Sequence, residues 1–449
     1  MLSILRHRVY RRLFAAQALS LLGSGLTTVA LGLAAFEIAG TDAGIVLGTA
    51  LALKMVAYVG LAPLAAALAE ALPRRRFLIS LDVARMALTA LLPFVDATWQ
   101  IYALVFAYQA CSAAFTPAFQ ALIPDVLPDE RDYARALSLS RFAYDVETLL
   151  SPVLAAALLS ALGFSWLFVG TAIGFAASAL LLATTALPAR ASAPPLSFLG
   201  RVSRGVRIYL ATPRLRGVLA LFIAVSAASA MVIVNTVIHV KSGLGGNDAL
   251  VAAFFGAYGV GSAVVAFALP RVLERVSDRT VMLNGAFALV LGLAIGALGV
   301  ELLDGLALWA LLGAGTAAVS TPVGLVLRRS CADADRTAVF AAQFALSHAG
   351  WLAAYPAAGV LGASYGLDAA FGIFAVISAF AAALAVVIWP ARDPTAVPHT
   401  HPRTTAAGRS GMHGGLAPAC STGVTGGETH SHPFVIDDLH PTWPRRKLP

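Results

Sequence analysis

Six ionisable side chains lie inside long apolar runs of this chain. They are Lys54, Asp82, Arg85, Asp145, Glu147 and His348. An ionised group surrounded by hydrocarbon costs at least about 2.5 to 3.5 kcal/mol, so such groups pair with one another or do chemistry. Carboxylates and an imidazole can exchange a proton for a metal cation, because each binds a metal only when it is deprotonated. Competition between a proton and a metal ion for one site is the least that proton–metal antiport requires.

Two of the carboxylates, Asp145 and Glu147, lie on one predicted helix. They are about 200° apart around its axis, so the two side chains cannot both line one narrow transport path unless other residues contribute. Arg141 precedes Asp145 by one turn, and this spacing predicts a structural ion pair. The alternative is that Asp145 or Glu147 forms a site shared by a cation and a proton. The sequence leaves both interpretations open.

His348 lies in the middle of another apolar run, with Tyr355 two turns further along the same face. One interpretation is a hydrogen-bonded contact between helices. The other is a metal ligand, since nickel, cobalt and zinc favour imidazole more than calcium or magnesium does. With the carboxylates of Asp145 and Glu147, His348 would make a site of nitrogen and oxygen ligands.

The remaining charged groups in the apolar runs are Asp82, Arg85 and Lys54. Asp82 and Arg85 are three residues apart and are expected to pair as a structural contact. Lys54 needs a counterion from elsewhere, and three carboxylates are candidates: Glu37, Asp145 and Glu147. A salt bridge that breaks and reforms during transport is one interpretation, and a static pair that fixes helix packing is the other.

The segment from residue 391 to 449 has a different composition, rich in Pro, Thr, Gly, Ser and His, and is predicted to be disordered. It holds two His-x-His pairs, His399 with His401 and His430 with His432. These pairs would chelate a divalent metal loosely, and their irregular spacing favours buffering or delivery over a structural site. The alternative is a disordered tail with incidental histidines.

The elements that position these residues follow from composition. Of 449 residues, 59% are hydrophobic and only 12% are charged, against roughly 25% in an average soluble domain. This excludes a soluble enzyme, a nucleic-acid-binding protein and a disordered chain. HExxH and phosphate-loop motifs are missing, so no enzyme activity and no cofactor are expected.

Transmembrane helices need about 20 mostly apolar residues. Twelve such runs are present, at about 12–36, 44–69, 77–96, 99–118, 138–162, 164–187, 216–240, 248–271, 281–301, 304–327, 338–362 and 367–389. Arginine-rich connections alternate with connections that carry acids and almost no base, Lys241 being the exception. The positive-inside rule therefore predicts a multi-pass protein with both termini in the cytoplasm. The first run is full length and precedes a tight turn, so no cleavable signal peptide is expected.

A shift of 204 residues relates the two halves of the chain. It pairs three residues of the first half with three of the second: Arg12 with Arg216, Glu70 with Glu274 and Arg75 with Arg279. We predict a six-helix bundle at 1–187, a basic cytoplasmic linker at 188–215, a second six-helix bundle at 216–390 and a histidine-rich tail at 391–449. Parallel six-helix repeats are typical of alternating-access transporters.

The turn after the second predicted span reads AAALAEALPRRR, residues 65–76. It resembles a degenerate G-x-x-x-D-R-x-G-R-R motif of the major facilitator superfamily, with Glu70 at the acid position and Arg74 and Arg75 as the terminal bases. Three positions depart from the motif: Ala66, Ala71 and Pro73. Three segments resemble the drug-proton-antiporter-like branch, in particular its nickel-resistance exporters with histidine-rich tails: 50–70, 141–159 and 343–362.

The resemblance implies an all-α membrane protein with the major facilitator fold, located in the bacterial inner membrane and monomeric. It implies export of Ni²⁺, and also Co²⁺, by proton antiport, with lipid as the surroundings and no nucleic-acid partner. The alternative is proton-driven efflux of amphipathic drugs or siderophores, which the same branch includes. A membrane sensor without transport would need a folded regulatory domain, and the sequence predicts none.

Overall fold

The computed structural model describes residues 2–39, 43–159, 163–188, 197–391, 393, 396–400, 429–437, 440 and 442–443. The first half consists of α1 (Arg8–Ala39), α2 (Ala43–Ala71), α3 (Arg74–Leu91), α4 (Thr98–Val126), α5 (Glu130–Leu159) and α6 (Ser165–Ala183). A connecting helix, α7 (Phe198–Ala211), follows. The second half consists of α8 (Pro213–Ile238), α9 (Asp248–Val272), α10 (Asp278–Gly296), α11 (Leu302–Ser320), α12 (Val323–Arg328), α13 (Arg336–Tyr365) and α14 (Leu367–Ile388).

Each of the twelve predicted spans corresponds to a long helix in the described chain, but one span is interrupted. The run 304–327 was predicted as a single span, whereas α11 ends at Ser320 and α12 begins at Val323. Pro322 lies between them, and its missing N–H and ring geometry interrupt a helix. The interruption leaves α12 as a separate short helix before α13.

Within the described chain, ten helices are long and apolar enough to cross a membrane. The two long helices outside this set are α5 and α13, which carry Asp145, Glu147 and His348. A helix that faces a polar interior needs fewer apolar residues than one that faces lipid on most sides. Both helices pack across the interface between the halves, α5 against α9 and α13 against α2, where polar side chains are shielded from lipid.

The connecting helix α7 lies against α13 and α2 at one end of the bundle, which we call the linker side. Arg204 of α7 pairs with Asp335 at the start of α13. Gly205 approaches α13 so closely that a Cβ there would collide with the backbone of Ala338. The amphipathic α7 is thus bound to the second half at its linker side.

The two halves meet along α2 with α13 and along α5 with α9. The ring of Tyr58 lies 4.8 Å from that of Phe344, and the rings of Phe142 and Phe267 are 4.9 Å apart. These contacts lie between the helix midpoints and the linker side, so the linker side is the end at which the halves are closed together.

The described part of the tail contains two strands, β1 (Ala396–Thr400) and β2 (Thr429–Pro433). They pair in antiparallel register, with His399 opposite His430. The segment after β2 packs on the second half, where Phe434 and Ile436 join its hydrophobic core. These segments are the part of the tail that the structure describes.

Candidate functional site

A cavity of about 620 Å³ lies between the two halves. Side chains of α1 to α5 line it from the first half, and side chains of α8, α9, α11, α12 and α13 line it from the second. Five of the predicted site residues line it: Lys54, Arg85, Glu147, His348 and Tyr355. A cavity at the interface of two six-helix halves is the expected place for a transported solute.

Asp145 is buried next to the cavity in a contact that joins the two halves. Its carboxylate lies 2.9 Å from Arg141 and accepts a 2.7 Å hydrogen bond from the Ser262 hydroxyl of α9. Arg141 Nε also donates to Ser262, at 3.0 Å. The predicted Arg141 pair is present, and the serine extends it into a three-membered network across the α5–α9 contact.

Asp82 and Arg85 form the predicted ion pair inside the first half. Ser178 of α6 donates a 2.7 Å hydrogen bond to Asp82, which is fully buried. The guanidinium of Arg85 lies between the rings of Phe115 and Phe175, 4.1 and 4.5 Å from their centroids. Its charge is thus balanced by Asp82 and by two aromatic faces.

Lys54 differs from the other cations of the cavity. Among the residues that the structure describes, it forms no ion pair with a carboxylate, and its ammonium lies 5.6 Å from the Tyr58 ring centroid. The counterions proposed from sequence, Glu37, Asp145 and Glu147, therefore do not pair with it in this conformation. Glu147 instead lies near α1, where a Cβ on Gly25 would come within 2.6 Å of its Oε1.

His348 is held in a defined tautomer. Its Nδ1 lies 2.6 Å from the Phe344 carbonyl oxygen. A carbonyl only accepts hydrogen bonds, so Nδ1 carries a proton, and in the neutral imidazole Nε2 then keeps its lone pair. The imidazole also contacts the rings of Tyr58, Phe344 and Trp351, at centroid distances of 4.9, 4.2 and 5.1 Å. A ring N–H donated to a backbone carbonyl is the usual arrangement of a metal-binding histidine.

The described residues contain no group of three His, Cys, Asp or Glu side chains that could hold a metal ion. The site expected from Asp145, Glu147 and His348 is therefore not assembled in this conformation. The helical spacing explains the separation, because Asp145 faces α9 while Glu147, two residues later, faces α1.

Gln343 is a cavity residue that the sequence does not predict as a site residue. Its Oε1 accepts a hydrogen bond from the Tyr209 hydroxyl of α7, and both side chains are buried. Burial raises the pKa of the Tyr209 phenol, so it remains a neutral donor. The only sequence signal for Gln343 is a polar residue in an apolar run, because Tyr209 lies far away in the chain.

The linker side is closed by a second unpredicted group. Asp125, at the end of α4, pairs with Arg74 of its own half and with Arg336 of α13. Arg328 also donates across the interface to the Pro128 carbonyl. A polar pocket of about 550 Å³ lies beside these residues. The ion pairs hold the two halves together at this end.

The turn motif predicted from sequence contributes through one of its residues. Arg74 makes the Asp125 contact, while Arg75 is exposed and the side chain of Glu70 is outside the part of the chain that the structure describes. In the second half Glu274 is exposed, and Arg279 donates 3.0 and 3.3 Å hydrogen bonds to two carbonyls at the end of α14.

The end of the tail docks on the linker side of the second half. Trp443 lies 5.0 Å from the guanidinium of Arg214, which is 1% exposed and 3.7 Å from Asp393. His440 contacts Phe434 and bonds to Asp437. Four predicted metal-binding histidines fall partly or wholly outside the described residues: the side chains of His399, His430 and His432, and all of His401.

The family model of the Major Facilitator Superfamily matches residues 13–300 and 218–414 of the chain. The protein therefore belongs to the Major Facilitator Superfamily, whose members are transporters, and it is a multi-pass membrane protein. A search of curated protein sequences gave no significant match.

Several solved structures share the fold. The human organic anion transporter MFSD10 (TETRAN) matches with a TM-score of 0.70 and 16% identity, over 84% of this chain and 99% of that one. The E. coli fucose:proton symporter FucP matches with a TM-score of 0.68 and 17% identity, over 85% of this chain and 98% of that one. A bacterial homologue of the iron transporter ferroportin, in an outward-facing state with soaked iron, matches with a TM-score of 0.67 and 14% identity, over 85% of this chain and 98% of that one. At these identities the similarity concerns the fold alone.

Proposed function

We propose that this transporter exports divalent transition-metal ions, nickel and also cobalt, in exchange for protons. The observation that carries the proposal is the tautomer of His348, whose Nε2 lone pair is available in the central cavity because Nδ1 donates to Phe344. Glu147 supplies an oxygen donor on the other half of the cavity. The ferroportin homologue, with its soaked iron, supports a metal substrate on this fold.

Exchange at His348 follows from elementary acid–base chemistry. The neutral imidazole binds the metal through Nε2, and a proton at the same nitrogen releases it. Glu147 adds charge neutralisation for the divalent ion and takes up a second proton when the metal leaves. His348 and Glu147 lie on different halves, so rocking of the halves changes their separation and with it the affinity for the metal.

The orientation that we propose places the linker side in the cytoplasm of the bacterial inner membrane, where the arginine-rich connections belong. The conformation described above is closed on that side by Asp125, Arg74 and Arg336. In the proposed cycle of a monomer it is the state that releases metal outward and accepts protons.

A second candidate is the efflux of amphipathic organic molecules. The size of the cavity favours it, together with the aromatic walls formed by Tyr58, Phe344 and Trp351. The structural similarity to an organic anion transporter points the same way. In that case the carboxylates would take part in proton coupling only and would not bind the substrate.

The decisive test is transport by everted membrane vesicles with an imposed proton gradient. We expect uptake of radioactive nickel and cobalt, abolition by a protonophore, and loss of at least about tenfold in His348→Ala, since a metal ligand is removed. His7→Ala, which removes an exposed imidazole near the N-terminus, is the matched control and should transport normally. Transport of lipophilic drugs without metals would replace the first proposal with the second.

A further inference from the structure

The central cavity contains a buried hydrogen-bond donor that the described chain does not satisfy. Gln343 is 7% exposed, and its Nε2 has no partner among the described residues. The Tyr209 hydroxyl occupies Oε1 of Gln343, a residue of the cavity lining, and leaves the buried amide NH₂ as the group without a partner. A buried N–H without a partner is costly, so a ligand that accepts its hydrogen bond would bind favourably.

Lys54 lines the cavity from the first half, on α2. Its ammonium adds three hydrogen-bond donors and no acceptor. It precedes Tyr58 by one turn, and the Tyr58 ring contacts both Phe344 and His348 on α13. Lys54 on α2 and the residues Gln343 and His348 on α13 all line the cavity, and these two helices pack against each other. A hydrated metal cation presents water O–H groups and positive charge to its surroundings, and neither suits an ammonium or an amide N–H.

The size of the cavity also exceeds that of a hydrated ion. Six water molecules occupy roughly 180 Å³ at about 30 Å³ each. The cavity of about 620 Å³ is more than three times larger. The remaining space has aromatic walls, which suit the carbon atoms of an organic ligand.

We propose that the transported species is a metal chelate of a small polycarboxylate, with Lys54 and Gln343 as the groups that bind its carboxylate oxygens. This inference rests on the proposed function, metal transport, and narrows its substrate class. His348 Nε2 takes a coordination position that the chelator leaves to water. The positive charge of Lys54 then balances the acidic ligand instead of repelling a bare cation.

The test uses the full chain in proteoliposomes with an imposed proton gradient and two labels, radioactive nickel and radioactive citrate. Citrate in excess should raise the rate of nickel transport at least about tenfold, and both labels should move in a fixed ratio. Equal or faster nickel transport without citrate, with labelled citrate excluded, would overturn the inference and leave metal transport standing. Citrate transport that does not need nickel would also overturn it. Transport of neither label would count against the proposed function itself.

Two variants test the assigned donors. Gln343→Leu and Lys54→Met should each lower transport of the nickel–citrate complex about tenfold, because each removes a hydrogen bond to a charged oxygen. Asn284→Leu, which replaces an exposed amide on α10, is the matched control and should leave transport unchanged. Size-exclusion profiles show whether each variant is folded. A folded Gln343→Leu protein with unchanged transport of the complex would show that the assignment of Gln343 is wrong.

Discussion

Asp125 offers the sharpest test of how the two halves are held together. Its carboxylate contacts Arg74 in the first half and Arg336 in the second. The side chain of Arg336 is 5% exposed, so the pair is shielded from water, although Arg336 keeps Asp333 as a second partner. Removal of one member of a buried charge pair costs about 2 to 5 kcal/mol. Because Asp333 remains, we expect the lower limit for Asp125→Asn, about 2 kcal/mol.

Of the two ion pairs of Asp125, only the one with Arg336 joins the halves, so its loss destabilises the closed linker side relative to the open one. A change of about 2 kcal/mol alters that equilibrium about 30-fold, at 1.4 kcal/mol per factor of ten. Spin labels at Arg131 and Ser277, which are exposed on opposite halves at the linker side, would report the change as a longer distance.

The control for this prediction is Asp132→Asn. Asp132 pairs with Arg135 within α5, and their side chains are 41% and 36% exposed. This pair therefore contributes little to stability and does not connect the two halves. The distance distribution should remain as in the unmodified protein. If Asp125→Asn also leaves the distribution unchanged, the ion pair does not hold the linker side closed, and the reasoning is refuted.

Three further predictions concern packing, the tail and a buried thiol. Gly25→Ala should lower stability by about 1 to 3 kcal/mol in thermal unfolding, because its Cβ would collide with Ser151 and approach Glu147; Gly60→Ala, which meets open space, should not. Trp443→Ala should release the tail from Arg214 and speed its cleavage by a protease, and unchanged cleavage would show that the contact does not anchor the tail. Burial raises the pKa of Cys331, so maleimide labelling at neutral pH should be slow and should accelerate as the pH rises; fast labelling at pH 7 would contradict its burial.

Several features of the fold and site follow from local sequence. Apolar runs of about 20 residues predict the spans, because backbone polar groups in lipid are satisfied within a helix. The pairs Asp82–Arg85 and Arg141–Asp145 were predictable since residues three or four apart are neighbours on a helix. The break before α12 was missed, although Pro322 was its signal.

The chain alone also determined which charged residues need a partner, since burial of an ion in an apolar run is visible in the sequence. For a residue whose partner lies on another helix, the tertiary structure decided which partner it takes. Tyr209 orients Gln343, Arg336 meets Asp125, and Lys54 is left without a carboxylate in the described conformation. Contacts of this kind join residues far apart in the chain. They depend on how whole helices are rotated and spaced against one another, which the periodicity of a single helix does not specify.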